Sequence, residues 1–101
     1  MQELTKETFA DFVAQKGKII VEFKADWCPD CASVKETYEK IAESDKAAFG
    51  RVDIDEEKEL HDEQGITSIP DFRFFEDDEE VGQFVEPTPE ELKKNVQDFL
   101  K

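Results

Sequence analysis

Apolar residues in the N-terminal half of the chain recur with spacings that predict two helices and a strand between them. Helical spacing predicts a first helix over about 6–16, which Gly17 would end. Its apolar positions are Phe9, Phe12 and Val13. The run 19–23 is apolar except for Glu22, as expected of a strand buried on both faces of a sheet. A 3-4 spacing of apolar positions then predicts a second helix over about 29–43.

In the C-terminal half of the chain, apolar runs also alternate with polar segments, and this half ends in a predicted hairpin and a helix. A strand is predicted over 47–54, and a short helix over about 57–64. The runs 71–75 and 81–85 read as two strands joined by the acidic loop 76–80, which predicts a hairpin.

A capping box opens the last predicted helix. Thr88 and Glu91 have the spacing in which each side chain bonds the other residue's backbone N–H, and Pro89 suits the first helical position. The apolar stripe of this helix is Leu92, Val96, Phe99 and Leu100. The pattern as a whole predicts an α/β fold in one domain over residues 1–101, with a central mixed β-sheet flanked by helices.

Composition narrows the function classes. Hydrophobic residues make up 38% of the chain, enough for one modest core. The 27 acidic residues against 13 basic ones give a net charge of −14, which argues against binding to nucleic acid or an anionic membrane. We see neither a signal peptide nor an apolar stretch near the roughly 20 residues of a membrane span. The cytoplasm is therefore the expected compartment. A monomer is expected because no feature of the sequence requires an oligomer.

The chain has only two cysteines, Cys28 and Cys31, and their position indicates chemistry. A disulfide between them would close a very small loop and stabilise the fold little, so a structural disulfide is a poor explanation for the pair. The pair lies between a buried strand and the start of a helix, whose free N–H groups stabilise a thiolate. Cys28 is expected to reach these donors and solvent, and Cys31 to be less exposed. This asymmetry suits an attacking and a resolving thiol.

Two sequence motifs resemble the thioredoxin family. Residues 21–31, Val-Glu-Phe-Lys-Ala-Asp-Trp-Cys-Pro-Asp-Cys, are similar to its active-site strand and turn, whose usual form ends in WCGPC. The dipeptide Ile69-Pro70 resembles its cis-proline element. The resemblance implies a thioredoxin-like fold with the element order βαβαβαββα and a thiol–disulfide oxidoreductase. It implies no cofactor beyond the redox-active Cys28–Cys31 pair.

The resemblance also implies catalytic roles. Cys28 would be the nucleophile and Cys31 the resolving thiol. Glu22 would occupy the place of the family's buried acid, where burial raises a carboxyl pKa, and would take a proton from Cys31. The alternative is that Glu22 only pairs with Lys24, two residues along on the same face.

Five residues are expected to contact substrate, namely Trp27, Pro29, Asp30, Ile69 and Pro70. Trp27 would cover one side of the disulfide and offer a flat docking surface; the alternative, which is compatible with this role, is packing in the core. A cis Pro70 would turn the Ile69 backbone toward the cysteines, ready to pair with an extended substrate; the alternative is an ordinary proline at a strand entry. The Asp30 carboxylate would compete with the thiolate for the helix dipole.

Two departures from the family pattern stand out. Lys24 lies where many thioredoxins have a second tryptophan. Residues 84–87, Phe-Val-Glu-Pro, replace the small stretch that usually edges the substrate groove. A bulkier, acidic rim argues against broad activity on protein disulfides.

Three other functions are alternatives to the reduction of protein disulfides. A zinc site needs four ligands, and beyond the cysteines only His61 is an obvious candidate, so no metal is expected. The fold could also serve as a binding module without turnover, or act on small-molecule or nitrosylated thiols. As an oxidoreductase, the protein would use disulfide-containing proteins or small molecules as substrates and a thioredoxin reductase or similar system for recycling.

Overall fold

The computed structural model describes residues 1–101, which form one five-stranded sheet with helices on both faces. The elements follow the expected order βαβαβαββα. They are β1 (Gln2–Glu3), α1 (Lys6–Val13), β2 (Lys18–Lys24), α2 (Pro29–Ser44), β3 (Ala48–Asp53), α3 (Lys58–Glu63), β4 (Asp71–Glu76), β5 (Glu79–Val85) and α4 (Pro89–Leu100). None of the four helices combines the length and apolar character needed to cross a bilayer.

Strand β2 lies at the centre of the sheet, in the order β1-β3-β2-β4-β5. It runs parallel to β3 and antiparallel to β4, so the sheet is mixed as expected. In this register Glu22 is opposite Arg51 on one side and Phe72 on the other. Two charged residues of neighbouring strands therefore lie side by side in the middle of the sheet.

The alternation of β2 divides the core into two layers. Ile19, Val21 and Phe23 pack on one face, with residues of α1 and α3. Ile20 packs on the other face, with residues of α2 and α4. Because side chains alternate along a strand, Glu22 belongs to the same face as Ile20, beneath α2.

Helix α1 is shorter than predicted, because it ends at Val13 and not near residue 16. The amide N–H of Gln15 donates to the carbonyl of Phe12 at 3.4 Å, and its side chain donates to the same oxygen at 2.9 Å. These local bonds replace the next helical turn. Gly17 follows with φ +93°, a conformation that glycine adopts without steric cost.

The β4–β5 connection is also tighter than the predicted acidic loop 76–80. Only Asp77 and Asp78 lie between the strands, with φ 52° and 69°. Two successive positive φ values are typical of the two-residue turn that matches strand twist, and aspartate tolerates them better than most residues. Both strands therefore extend further into the acidic segment than hydrophobicity indicates.

The predicted capping box of α4 is confirmed. The Thr88 hydroxyl accepts from the Glu91 N–H at 3.1 Å, and the Glu91 carboxylate accepts from the Thr88 N–H at 2.9 Å. Pro89 occupies the first turn, where a missing N–H leaves no bond unmade.

Candidate active site

Cys28 is the N-cap residue of α2, at the end of the turn after β2. Its Sγ accepts a hydrogen bond from the Cys31 N–H at 3.1 Å. Pro29 occupies the first turn of the helix and Asp30 follows it, and both are exposed. The first cysteine therefore has a backbone donor of the helix N-terminus on its sulfur, as the sequence predicts.

The expected difference in exposure between the two cysteines is wrong, because each is only 5% exposed. Ala25 is buried with them, and Ile54 and Ile69 pack against the three. These neighbours come from the loops after β2 and β3 and from the loop before β4. They cover both sulfurs to a similar degree.

A chemical asymmetry between the thiols is nevertheless present. Burial and a hydrogen bond to Cys28 raise the pKa of the Cys31 thiol to about 12, against the smaller opposing effect of a backbone hydrogen bond involving Ala25. The proton thus stays on Cys31 in the reduced protein.

The Ile69–Pro70 peptide bond is cis, which confirms that prediction. The Cys28 Sγ lies 3.7 Å from the Ile69 carbonyl oxygen. Beyond Pro70, the N–H of Glu86 donates to the Pro70 carbonyl at 2.8 Å. The cis-proline loop therefore lies between the dithiol and the end of β5.

Trp27 is 66% exposed, so the core-packing alternative is wrong for this side chain. Its indole Nε1 donates to the Asp55 carboxylate at 2.7 Å. This bond fixes one edge of the ring and leaves much of its surface open to solvent, beside Cys28.

The segment 84–87 forms a smaller rim than its composition predicts. The Phe84 ring stacks on Phe72 with centroids 5.2 Å apart, and Pro87 is buried. Only Val85 and Glu86 face outward. The rim is acidic as expected, but most of its bulk belongs to the core.

Glu22 is buried and pairs with Arg51, so the alternative pairing with Lys24 is wrong. The Arg51 Nε donates to the Glu22 carboxylate at 2.9 Å, and its Nη1 donates to Glu39 at 3.0 Å. Lys24 turns to Asp26 instead, at 2.8 Å. Sequence reasoning did not single out Arg51, although a basic residue in the apolar run 47–54 is the same kind of anomaly as Glu22.

Burial is the dominant influence on the Glu22 carboxyl and raises its pKa above the ordinary value. The hydrogen bond and charge of Arg51 act in the opposite direction and offset part of this effect. A carboxyl with a raised pKa is better matched to proton exchange near neutral pH than an ordinary one.

A cavity of about 90 Å³ lies between this ion pair and the second cysteine. Its lining includes Glu22, Arg51, Cys31 and Lys35. The volume is sufficient for several water molecules, and the lining is polar enough to hold them. The Cys31 thiol and the Glu22 carboxylate therefore line the same water-sized cavity.

The side chains do not assemble a metal site around the cysteines. No three His, Cys, Asp or Glu residues of the chain are grouped to hold an ion. The zinc candidate His61 lies on α3, where its Nδ1 is 2.9 Å from the Asp62 carboxylate.

Comparison with known proteins agrees with this fold. The family model "Thioredoxin" matches residues 1–98. A thioredoxin of Malassezia sympodialis is 32% identical over 81 residues, which is 77% of each chain. Putative thioredoxin 2 of Streptomyces coelicolor is 37% identical over 86 residues, covering 84% of this chain and 63% of that protein. The structure of Plasmodium falciparum thioredoxin superimposes with a TM-score of 0.91 at 27% identity, covering 98% of this chain and 99% of that one.

The chain belongs to the thioredoxin family. With a CXXC pair at the N-terminus of α2, it is a thiol–disulfide oxidoreductase.

Proposed function

We propose that the protein reduces disulfides, with Cys28 as the attacking thiol and Cys31 as the resolving thiol. One observation carries this assignment: the Cys28 Sγ accepts from the Cys31 N–H at 3.1 Å. The raised pKa of the Cys31 thiol keeps the proton on that cysteine in the reduced protein. Because thiolate is the reactive form of cysteine, we assign the attack to the cysteine whose sulfur accepts this backbone hydrogen bond.

In the first step the Cys28 thiolate attacks one sulfur of the substrate disulfide. A Cys28–substrate S–S bond forms, the substrate S–S bond breaks, and the other substrate sulfur leaves as a thiolate that takes a proton from solvent. The product is a mixed disulfide between the protein and one half of the substrate.

In the second step Cys31 loses its proton and attacks the Cys28 sulfur. The mixed disulfide breaks, the second substrate thiolate leaves and is protonated, and Cys28 and Cys31 become a disulfide. Two electrons pass from the dithiol to the substrate. Because burial raises the pKa of the Cys31 thiol, this step needs a base, and Glu22 across the cavity is that base.

Substrate binds across the loop that carries the cis-proline. Ile69 lies beside Cys28, and its N–H has no backbone partner within the chain, so an extended segment can pair with it as a β-strand does. Trp27 gives this segment an apolar surface. Pro29 and Asp30 are exposed and complete the contact area, whereas Pro70 is buried and acts through the position it gives to Ile69.

The oxidised protein has to regain two electrons, and we assign this to a thioredoxin reductase or a similar system. A compartment that keeps thiols reduced, such as the cytoplasm, suits a reductase of this kind. All the residues assigned to the site come from one chain, so a monomer is sufficient for activity.

The roles of the two thiols are tested by single substitutions. With insulin as substrate, Cys28→Ser should abolish turnover, and Cys31→Ser should accumulate a mixed disulfide detectable by mass spectrometry. Trapping by Cys28→Ser would reverse the assignment. Parallel assays with cystine and S-nitrosoglutathione measure the preference for protein disulfides. No turnover of any disulfide by the intact dithiol would overturn the proposal.

A further inference from the structure

Lys24 and Lys35 line the cavity beside Cys31, but the rest of the surface around the dithiol is acidic and contains no base. Four segments form it, 25–31, 54–57, 66–70 and 84–87. Contacts hold them together: Ile54 and Ile69 pack against the cysteines, and the last segment bonds Pro70 through the Glu86 N–H. None of these segments contains lysine or arginine. Their acidic residues are Asp26, Asp30, Asp55, Glu56, Glu57 and Glu86.

Two of these acids have partners within the chain that account for them. Asp26 pairs with Lys24, and the Glu57 carboxylate accepts from the backbone N–H of Lys6, a neutral donor that holds the side chain without compensating its charge. Asp55 is held by the neutral Trp27 indole, so its charge is not compensated. The other three, Asp30, Glu56 and Glu86, are exposed and have no bond to a basic side chain.

The bases closest to this surface do not neutralise it. Lys35, which lines the cavity beside Cys31, pairs with Glu39 at 2.9 Å. The guanidiniums of Arg51 and Arg73 are buried, where they bond Glu22 and Asp71. Lys58, the first residue of α3, is the one exposed and unpaired base beside this surface, and it directly follows the segment 54–57.

Glu86 adds a separate observation, because its backbone favours a different residue. Its φ of +50° lies in the left-handed region, which glycine adopts freely and glutamate does not. Its side chain is exposed and bonds nothing in the chain, so no interaction within the fold explains the glutamate. Its backbone N–H bonds Pro70, which places this charge next to the proposed substrate strand. An outlier of this kind at a binding surface points to a functional role.

Apolar contacts are available beside the charges. Trp27 is 66% exposed and Val85 is 43% exposed. Val85 pairs with Asp71, directly after Pro70, so it lies at the dithiol end of the sheet. A substrate can therefore place an apolar residue on either side while its flanking charges meet the acids.

We propose that this site selects disulfides whose cysteine is flanked by lysine or arginine, in a basic partner protein or peptide. The inference rests on the proposed reductase function and specifies its substrate class. Complementary charge raises the rate of encounter and penalises acidic competitors. An exposed acid–base pair contributes modestly, so several together give a preference of about threefold to tenfold at low salt.

Three peptides linked to a common thiol by the same disulfide test this preference. They differ only at the residues flanking the cysteine, which are lysine in one, glutamine in the second and glutamate in the third. The expected order of kcat/KM is lysine, glutamine, glutamate. The differences should shrink as salt is raised well above 0.1 M, because the screening length there falls below about 10 Å.

Charge-neutralising variants assign the effect to this surface. Glu86→Gln and Asp55→Asn should each lower the lysine-to-glutamate ratio by about twofold to threefold, and Asn at 55 still offers Trp27 an acceptor oxygen. Asp78→Asn, at the opposite end of the β4–β5 hairpin, removes the same charge and should leave the ratio unchanged. Equal turnover of all three peptides overturns the preference and leaves the reductase function intact. Failure to reduce any of them overturns the reductase function and the preference with it.

Discussion

The Nε of Arg51 donates to the carboxylate of Glu22 at 2.9 Å, and this bond joins the two central parallel strands inside the sheet. Both side chains are nearly inaccessible to solvent. A charge buried in this way is tolerated only with a partner. The pair therefore links the stability of the sheet to the acid proposed to serve Cys31.

Replacing Arg51 by methionine leaves the Glu22 carboxylate buried without its main donor. Breaking a buried ion pair costs about 3–5 kcal/mol, so the free energy of unfolding should fall by that amount. The double variant Glu22→Gln/Arg51→Met removes both charges and should recover much of the loss. Urea denaturation at neutral pH measures both values. An equal loss in the single and double variants would show that the pairing itself contributes little.

The Glu22→Gln variant keeps the side-chain size and removes the proton acceptor. The reagent dithiobis(nitrobenzoate) is a disulfide of two thionitrobenzoates. Its reaction with the dithiol releases one thionitrobenzoate in the attack by Cys28 and the second in the resolution by Cys31. The second phase should slow about tenfold to a hundredfold, whereas the first should change little. Stopped-flow absorbance separates the two phases.

The same assay gives a pH dependence with a definite sign. Only the ionised Glu22 accepts a proton, and burial raises its pKa. The resolution rate of the unaltered protein should therefore fall with decreasing pH, beginning above the pH at which an ordinary glutamate is protonated. The glutamine variant should lack this inflection. A common profile for both proteins would leave Glu22 with a structural role only.

Asp30 is exposed in the first turn of α2, where its charge is close to that of a Cys28 thiolate. For a separation of about 6 Å and an effective dielectric of about 40–80, the repulsion between the two charges is roughly 1 kcal/mol. Asp30→Asn should therefore increase iodoacetamide labelling of Cys28 at neutral pH by about fivefold. By stabilising the reduced form, it should also make the reduction potential less negative. Asp78→Asn serves as the control, and an unchanged or slower labelling rate in Asp30→Asn would contradict the argument.

Glu86→Gly should stabilise the fold, since glycine relieves a left-handed conformation worth about 1–2 kcal/mol. The greater entropy of glycine in the unfolded chain offsets about 0.5–1 kcal/mol of this. The net increase in the free energy of unfolding is thus up to about 1.5 kcal/mol. Glu86→Gln changes charge but not backbone preference and should leave it nearly unchanged. A loss of stability in the glycine variant would mean that the glutamate side chain supports the fold.

Local patterns account for what could be predicted of the fold. The buried run around Glu22, the 3-4 spacing of α2 and the capping box at Thr88 each involve residues within a few turns of one another. The stability of each of these features depends on residues close together in the sequence, so the order of the elements could be predicted. The places where the bounds differ, the end of α1 and the turn at Asp77, depend on single backbone bonds and dihedral angles that hydrophobicity does not encode.

By itself, the sequence determined the mixed α/β order and the position of the dithiol between a strand and a helix. It also indicated a cis Pro70, through its resemblance to a family. Tertiary structure decided the partner of Glu22, the equal burial of the two cysteines, the exposure of Trp27 and the position of Glu86 beside Pro70. Each depends on segments far apart in the chain, and strand register and loop packing bring them together. Register arises from the whole sheet, and no local pattern around Glu22 identifies Arg51, 29 residues away, as its partner.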